Sequence, residues 1–464
     1  MARPRKKNQP AELPKEIPPA YFLGLEVENI LCFKDKQFLD LSDKNGNPVQ
    51  WTVILGDNGV GKTTLLRCLA RMEPYLAKGV PNFSLRTLSK EHLLPLFYSL
   101  SEEELGTLYK SQVKINADLI YGLSLNDFRN LSPEIIKNRI EKIVLRFSIN
   151  PSPSSEREAS FIEKDLFELK CYGYGANRRI GKTSLSELLS SDRTSTLFSD
   201  DATLINAEEW LLQTDYAAAR SNHKDNRFQK RLTLVKEMLK NLLPDVDDIR
   251  IASPTDEIPR PTAEFQTHYG WVTLSNLSLG YQSVIAWMVD LAARMLERYP
   301  DSEDPLSEPA IVLVDEIDLH LHPKWQRTIM DFLTERFPNT QFIVTAHSPL
   351  VVQAAQDANI VLLRREGDRV VIDNNPEIID NWRVDQLLTS VFELPSARPA
   401  KLDPLLKRRE KLLTKPQLTE EDKTELNEIA EQIGHLPTGE TPQDIQAMDI
   451  IRRAAQLLEK SEPQ

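Results

Sequence analysis

Eight consecutive residues, Gly56-Asp57-Asn58-Gly59-Val60-Gly61-Lys62-Thr63, carry the pattern G-x-x-x-x-G-K-T. Glycines at this spacing let the backbone curl so that successive N–H groups face inward, where they cradle phosphate oxygens. A helix opening at Lys62 would add the positive end of its dipole. In such a loop Lys62 reaches the β- and γ-phosphates and the Thr63 hydroxyl faces Mg²⁺, with Thr64 continuing the helix. The expected ligands of residues 56–64 are ATP and Mg²⁺.

Three further segments fit the same chemistry. The apolar run Ala310–Val314 ends in Asp315-Glu316. A strand ending in two carboxylates can place one acid, Asp315, near a metal ion and leave the next, Glu316, to act as general base on an attacking water. The segment Leu277-Ser278-Leu279-Gly280-Tyr281-Gln282-Ser283 precedes a long apolar-periodic stretch. There Ser278 can cap a helix, and Gly280 leaves room for a close backbone approach. Finally, Ala346-His347-Ser348 follows the run "QFIVT". A histidine at the carboxyl end of a strand sits where open α/β sheets bind ligands, and His347 could hydrogen-bond a γ-phosphate.

The elements that must position these residues are legible from periodicity. "WTVIL" (51–55), "AIVLV" (310–314) and "QFIVT" (341–345) are short, continuous apolar runs. Such runs suit strands buried on both faces of a parallel sheet. Helices are expected after 62, from Tyr281, from Lys324, and over "RFQKRLTLVKEMLKNLL", where Phe228, Leu232, Val235 and Leu239 share a face. "YFLGLEVENILCF" and "KQFLDL" read as paired antiparallel strands, with Asn45-Gly46 as a turn. The fold class is therefore α/β, a P-loop NTPase with a largely parallel sheet plus N-terminal antiparallel strands.

Composition narrows the function classes. The chain has 464 residues with 57 basic and 69 acidic side chains, a formal net charge of −12. That balance disfavours a protein that grips nucleic acid by its overall field, although a local basic groove stays compatible with it. Three cysteines without a C-x-x-C pair suit a reducing cytoplasm and no disulfide framework. The basic start (Arg3, Arg5, Lys6, Lys7) lacks an apolar segment behind it, so it is not read as a secretory signal. No apolar run is long enough to span a membrane. The expected location is the cytoplasm.

The order of the motifs (P-loop, Ser-x-Gly-x-Gln before a helix, strand ending Asp-Glu, strand ending in His) resembles the ABC-type ATPase heads of the RecF/SMC/OLD group. "DEIDLHLHPKWQ" (315–326), "CYGYGANRR" (171–179) and "WRVDQLLTSVF" (382–392) resemble bacterial AAA-labelled ATPases that include the ATPase subunit of Septu anti-phage systems. The resemblance implies a homodimer or higher assembly that sandwiches ATP, with Ser278, Gly280 and Gln282 acting on the nucleotide of a second copy. It also implies a separate nuclease subunit or DNA as partner, no membrane, and Arg178 and Arg179 near the nucleotide. "LSLGYQS" departs from the "LSGGQ" of transporters. Gln112 is the positional candidate for the group's glutamine loop.

The expected domains are a disordered tail (1–20), the N-terminal half of the head (21–85), and an inserted mixed or helical lobe (86–250). The C-terminal half of the head (251–379) and a helical, partner-binding region (380–464) follow. Alternative readings are a RecF-like repair ATPase that binds DNA directly and an ATP-binding sensor with little turnover. His320-x-His322 reads as a partner-contacting segment in preference to a metal site. "RREGDRVV" (364–371) reads as a hairpin, and Arg220, Lys224, Arg227 and Arg231 as a solvated helix face.

Overall fold

The computed structural model describes residues 19–72, 74–75, 84–85, 113–121, 123–149, 169–181, 193–221, 226–256, 259–376, 383–392, 394, 399–413 and 419–433. Residues 150–158, Gln112, Lys224 and residues 1–18 lie outside them. The first unit runs to Val384. It opens with strands β1 (Ala20–Glu28), β2 (Gln37–Asp40) and β3 (Trp51–Gly56), then helix α1 (Lys62–Arg71). Strands β4 (Val113–Tyr121), β5 (Glu141–Ile149) and β6 (Cys171–Tyr174) follow. Next come helices α2 (Ala207–Arg220) and α3 (Arg227–Leu242) and the antiparallel strands β7 (Asp248–Ala252), β8 (Thr262–Thr267) and β9 (Gly270–Thr273).

Helix α4 (Leu279–Arg298) leads to β10 (Ala310–Val314), the short helix α5 (Pro323–Gln326), α6 (Ile329–Arg336) and β11 (Thr340–Thr345). Helix α7 (Pro349–Ala354) and the hairpin β12 (Asn359–Glu366) and β13 (Arg369–Asp373) close this unit's sheets. Helix α4 starts two residues earlier than periodicity predicts, because the Ser278 side chain caps it by accepting the Tyr281 N–H. The expected hairpin at 364–371 is present, with Gly367 at φ 66 in its turn.

The central sheet has the order β13-β12-β3-β11-β10-β6, parallel throughout except for the edge strand β13. All five residues of β10 and all six of β11 are buried, as the unbroken apolar runs require. The second sheet, β2-β1-β4-β5, is antiparallel. Gln341 of β11 joins the two sheets: its side-chain oxygen accepts the Phe22 N–H at 2.9 Å and its amide donates to the Phe22 carbonyl at 2.8 Å. The Trp51 and Phe342 rings stack beside that junction at 4.4 Å.

Within the expected lobe (86–250), three of the described strands pair with the sheets of the head. Strands β4 and β5 extend the N-terminal sheet beyond β1, and β6 is an edge of the central sheet beside β10. Backbone pairing decides this: each strand's N–H and C=O groups find partners only by joining those sheets. Helices α2 and α3 pack on α4 through Trp210, Leu211, Leu232, Val235, Met238 and Leu239, all buried. Of the basic residues grouped by helical spacing, Arg220 ends α2 and Arg227 and Arg231 lie on α3, where Arg231 donates to the Leu296 carbonyl near the end of α4.

The second unit spans residues 385–464. Helix α8 (Val384–Ser390) leads into it, and α9 (Asp403–Leu413) and α10 (Glu420–Ile433) contact each other. Leu412 and Ile429 are buried there, and Arg408 makes a two-pronged salt bridge to Glu425 at 2.6 and 2.8 Å. Among the described residues no helix is long and apolar enough to cross a membrane.

One buried polar knot holds α4 to the sheet edge. Asp290 of α4 accepts hydrogen bonds from Arg294 Nε (2.8 Å), the Tyr174 hydroxyl (3.0 Å) and the Ile205 N–H (3.1 Å). Burial first, then the Asp290 charge, pushes the Tyr174 phenol well above its usual range and keeps it a neutral donor. Removing one partner of a buried ionic cluster leaves the rest desolvated and short of an acceptor. Asp290→Ala is therefore expected to cost about 3 kcal/mol of stability, read as a lower denaturant midpoint by circular dichroism. An unchanged midpoint would show that this cluster does not hold the helix.

Candidate active site

Four adjacent strands deliver their following loops to the same edge of the central sheet. β3 ends at the P-loop, β10 at Asp315, β11 at Ala346-His347, and β6 at the loop bearing Arg178. The carboxyl ends of parallel strands are where such sheets bind ligands. Gly56, Gly59 and Gly61 all adopt positive φ, giving the P-loop its curl. Lys62 is buried, and its Nζ donates to the Gly56 and Asp57 carbonyls, both at 2.8 Å. Desolvation lowers the Lys62 pKa, while Asp315, Glu316, Asp57 and Asp318 oppose that shift.

The carboxylate of Asp315 is the meeting point. Thr63 Oγ1, from α1, donates to its Oδ2 at 2.7 Å. Thr345 Oγ1, from the end of β11, donates to its Oδ1 at 2.6 Å. The same Thr345 hydroxyl oxygen accepts the Glu316 N–H at 2.7 Å. The Asp315 N–H in turn donates to the Tyr174 carbonyl at 2.8 Å. Glu316 stands in the left-handed region at φ 50, so the chain turns sharply between the two acids.

Arg178, which the resemblance implies lies near the nucleotide, bonds to the backbone of both acids. It is buried, and its guanidinium donates to the Asp315 carbonyl (3.0 Å) and the Glu316 carbonyl (2.8 Å). Its Nε has no hydrogen-bond partner. Burial pushes its pKa down to about 10, against the pull of Asp315, Asp318 and Glu316, so it stays cationic at neutral pH. Arg179 is exposed. The loop carrying both is stitched down by Leu204 N–H to the Arg179 carbonyl and Gly181 N–H to the Leu204 carbonyl. The alternating glycines of "CYGYGANRR" serve this packing: a Cβ on Gly175 would lie 2.1 Å from the Thr196 carbonyl oxygen.

His347 is half-buried, and its N–H donates to Asp318 Oδ2 at 3.1 Å. Gln326 joins this corner, donating to the Asp318 and Leu321 carbonyls and accepting from Ser348 Oγ at 2.7 Å. The Ser278 segment makes its hydrogen bonds locally. Gln282 Nε2 donates to the Leu277 (2.7 Å) and Ser275 (3.1 Å) carbonyls, and the Tyr281 hydroxyl donates to Asp245 at 2.7 Å. The close approach open to Gly280 is to this chain's own His320, whose carbonyl oxygen would sit 2.5 Å from an added Cβ. Ser278 and Leu279 face solvent, Leu279 at 71% exposure.

The structure thus gathers residues 56–64, Asp315, Glu316 and His347 at one sheet edge. Ser278, Gly280 and Gln282 form a separate surface whose own hydrogen bonds do not reach the P-loop. Sequence reasoning missed Thr345, although a polar residue closing an otherwise apolar strand was a usable signal. It also missed Asp318. His322 Nδ1 accepts the Lys324 N–H, and among the described residues no group of three His, Cys, Asp or Glu side chains could hold a metal ion.

Two family models match the chain: "AAA domain, putative AbiEii toxin, Type IV TA system" over residues 51–353 and "AAA domain" over residues 25–72. The chain is 25% identical over 389 residues to the Retron Vc95 probable ATPase of Vibrio cholerae serotype O1 biovar El Tor, covering 73% of each. It is also 25% identical over 420 residues to the Septu protein PtuA of Bacillus mycoides (strain KBAB4), covering 88% of this chain and 50% of that protein. Among solved structures, the SMC head domain from Thermotoga maritima aligns with a TM-score of 0.39 at 13% identity, over 76% of this chain and 98% of that one.

The Arg178 loop gives a direct test of the geometry. Gly175→Ala forces a methyl onto the Thr196 backbone, an overpacking expected to cost about 1–3 kcal/mol, and calorimetry should show a lower melting midpoint than wild type. A midpoint equal to wild type would mean the loop does not pack on residues 196–197 as described.

Proposed function

The chain belongs to the AAA-domain family whose model spans residues 51–353, and from that premise we propose that it hydrolyses ATP between two copies of itself to control a partner nuclease or DNA in anti-phage defence. It is an ATPase: its family model is an AAA domain, and the similar Retron Vc95 protein is named a probable ATPase. The observation that carries the reading is the hydrogen-bonded run from Thr63 through Asp315 and Thr345 to the Glu316 backbone at the mouth of the P-loop. It ties the phosphate-binding loop to both acids in one rigid unit.

In this reading residues 56–64 hold the triphosphate, and Lys62 exchanges its two P-loop carbonyls for phosphate oxygens. Thr63 Oγ1 and an Asp315 carboxylate oxygen, 2.7 Å apart, form the hard-oxygen pair that suits Mg²⁺. Mg²⁺, when bound, supplies charge neutralisation between the β- and γ-phosphates. Glu316 takes the proton of the attacking water, and His347 meets the γ-phosphate. Asp315, Glu316 and Asp318 outnumber the cations Lys62 and Arg178 in this corner, a local imbalance that favours a bound cation.

The Ser278 surface completes the site from a second copy. Its exposure supports this: Ser278 caps a helix whose first residue, Leu279, is a large apolar side chain standing in solvent. Similarity to Retron and Septu proteins supports the defence setting and the separate partner.

Mg²⁺-dependent hydrolysis by wild type, Lys62→Ala, Ser278→Arg and the two variants mixed tests the reading. Each single variant should lose at least about tenfold in rate, in line with losing a transition-state contact, and the mixture should regain part of it. A Ser278→Arg variant as active as wild type would remove the second copy from the mechanism. A wild type without hydrolysis would remove the ATPase itself.

A further inference from the structure

Glu316 is a non-glycine residue in the left-handed region, as is His320 four residues further on, and three groups converge on the turn at Glu316. The two carbonyls around the turn, of Asp315 and Glu316, are gripped by the two terminal nitrogens of Arg178. The N–H of the same residue is gripped by Thr345 Oγ1. A non-glycine residue at φ 50 costs free energy and persists only where its surroundings hold it there. Its N–H and C=O are both taken up, by side chains from two different strand ends.

Resting on the ATPase reading above, we propose that Arg178 and Thr345 are positioning residues. They hold the Glu316 backbone in its left-handed conformation and so aim the general base, while Arg178 itself does not touch the nucleotide. The chemistry of the groups fits this division. A planar guanidinium holds one terminal nitrogen on each of two successive carbonyls in a fixed fork, whereas an ammonium donates from a single nitrogen on a flexible stem and fixes their relative orientation less firmly. Arg178 is buried with both terminal nitrogens committed to the main chain, so its charge is spent on carbonyl dipoles next to Asp315 and Glu316. The Thr345 hydroxyl has one proton, given to Asp315, and its lone pair receives Glu316, so a single side chain fixes the metal-facing acid and the base relative to each other. The Arg178 loop comes from β6 and Thr345 from β11, on either side of β10, so both neighbours of the catalytic strand set the turn at its end.

The experiment compares Arg178→Lys, Thr345→Val and Thr345→Ser in the full chain, with steady-state hydrolysis, equilibrium binding of a fluorescent ATP analogue and thermal midpoints. Misaiming a catalytic group by about 1 Å costs on the order of 100-fold. Arg178→Lys and Thr345→Val should therefore lower kcat by about 10- to 100-fold while nucleotide affinity stays within about twofold, and Thr345→Ser should restore most of the rate. Made in a Glu316→Gln background, Arg178→Lys should lower the residual rate no further, because residues acting through one group are not additive. A loss of nucleotide affinity matching the loss of rate would make Arg178 a nucleotide contact and overturn the proposal. So would additive effects with Glu316→Gln, or an unchanged kcat. Failure of the ATPase reading is separable, since it appears as an inactive wild type. If Arg178→Lys does not fold, the Thr345→Val and Thr345→Ser pair decides the matter alone.

Discussion

The Asp315 carboxylate is the constraint on which the rest of the site depends. It is almost fully buried, and its two oxygens are occupied by hydroxyls from two distant parts of the chain, Thr63 and Thr345. Hydrogen bonds to an ionised acceptor contribute roughly 1.5–3 kcal/mol each, and a buried charge without them would be strongly unfavourable. The P-loop helix, the β10 end and the β11 end are therefore registered through one side chain. Lys62 and Arg178 add cationic potential while donating their hydrogen bonds to main-chain carbonyls. The result is a site rigid in its backbone and short of positive charge, two properties that suit a triphosphate arriving with a divalent cation.

Much of this was readable from residues alone, and the reason is burial. Strands closed in on both faces must be continuously apolar, so β3, β10 and β11 announced themselves and brought their terminal motifs with them. The P-loop and the Asp-Glu pair needed no more context than that. What stayed hidden were relations between segments. Strands β4 and β5 show no mark of their partner β1, since pairing is set by backbone groups that every sequence has. Arg178 illustrates the same limit at the site: the resemblance implied only that it lies near the nucleotide, and the fold shows its donors on the Asp315 and Glu316 carbonyls. The resemblance to ABC-type heads supplied what periodicity could not, namely the expectation that Ser278 and Gly280 act on the nucleotide of a second copy.

Helix α4 connects the two halves of the proposed mechanism. At its start it presents Ser278 and Leu279 to solvent, and about three turns into it Asp290 is pinned to Tyr174. Tyr174 offers its carbonyl to the Asp315 N–H. A displacement of α4 thus has a direct mechanical path, through side chain and then backbone, to the residue that organises the catalytic strand end. Gly280 adds a second path, since its Cα rests against the His320 carbonyl in the segment just beyond Glu316. Close-packed contacts of this kind shift in discrete steps and do not deform smoothly.

The exposed Leu279 then acquires a physical meaning. A large apolar side chain at 71% exposure, beside a capped helix start, gains free energy from any surface that covers it, at about 25 cal/mol per Å² removed from water. The hydrogen bonds of Gln282 hold the preceding loop in place before any partner arrives, so little ordering entropy opposes docking. A rigid, partly apolar surface wired to the catalytic strand by Asp290 and Gly280 is suited to report contact with a second copy to Asp315. The net charge of −12 opposes self-association at long range, so in the proposed pairing of two copies the attraction would come from short-range burial and from the nucleotide with its cation. Assembly in that proposal depends on the ligand that the assembled site would consume.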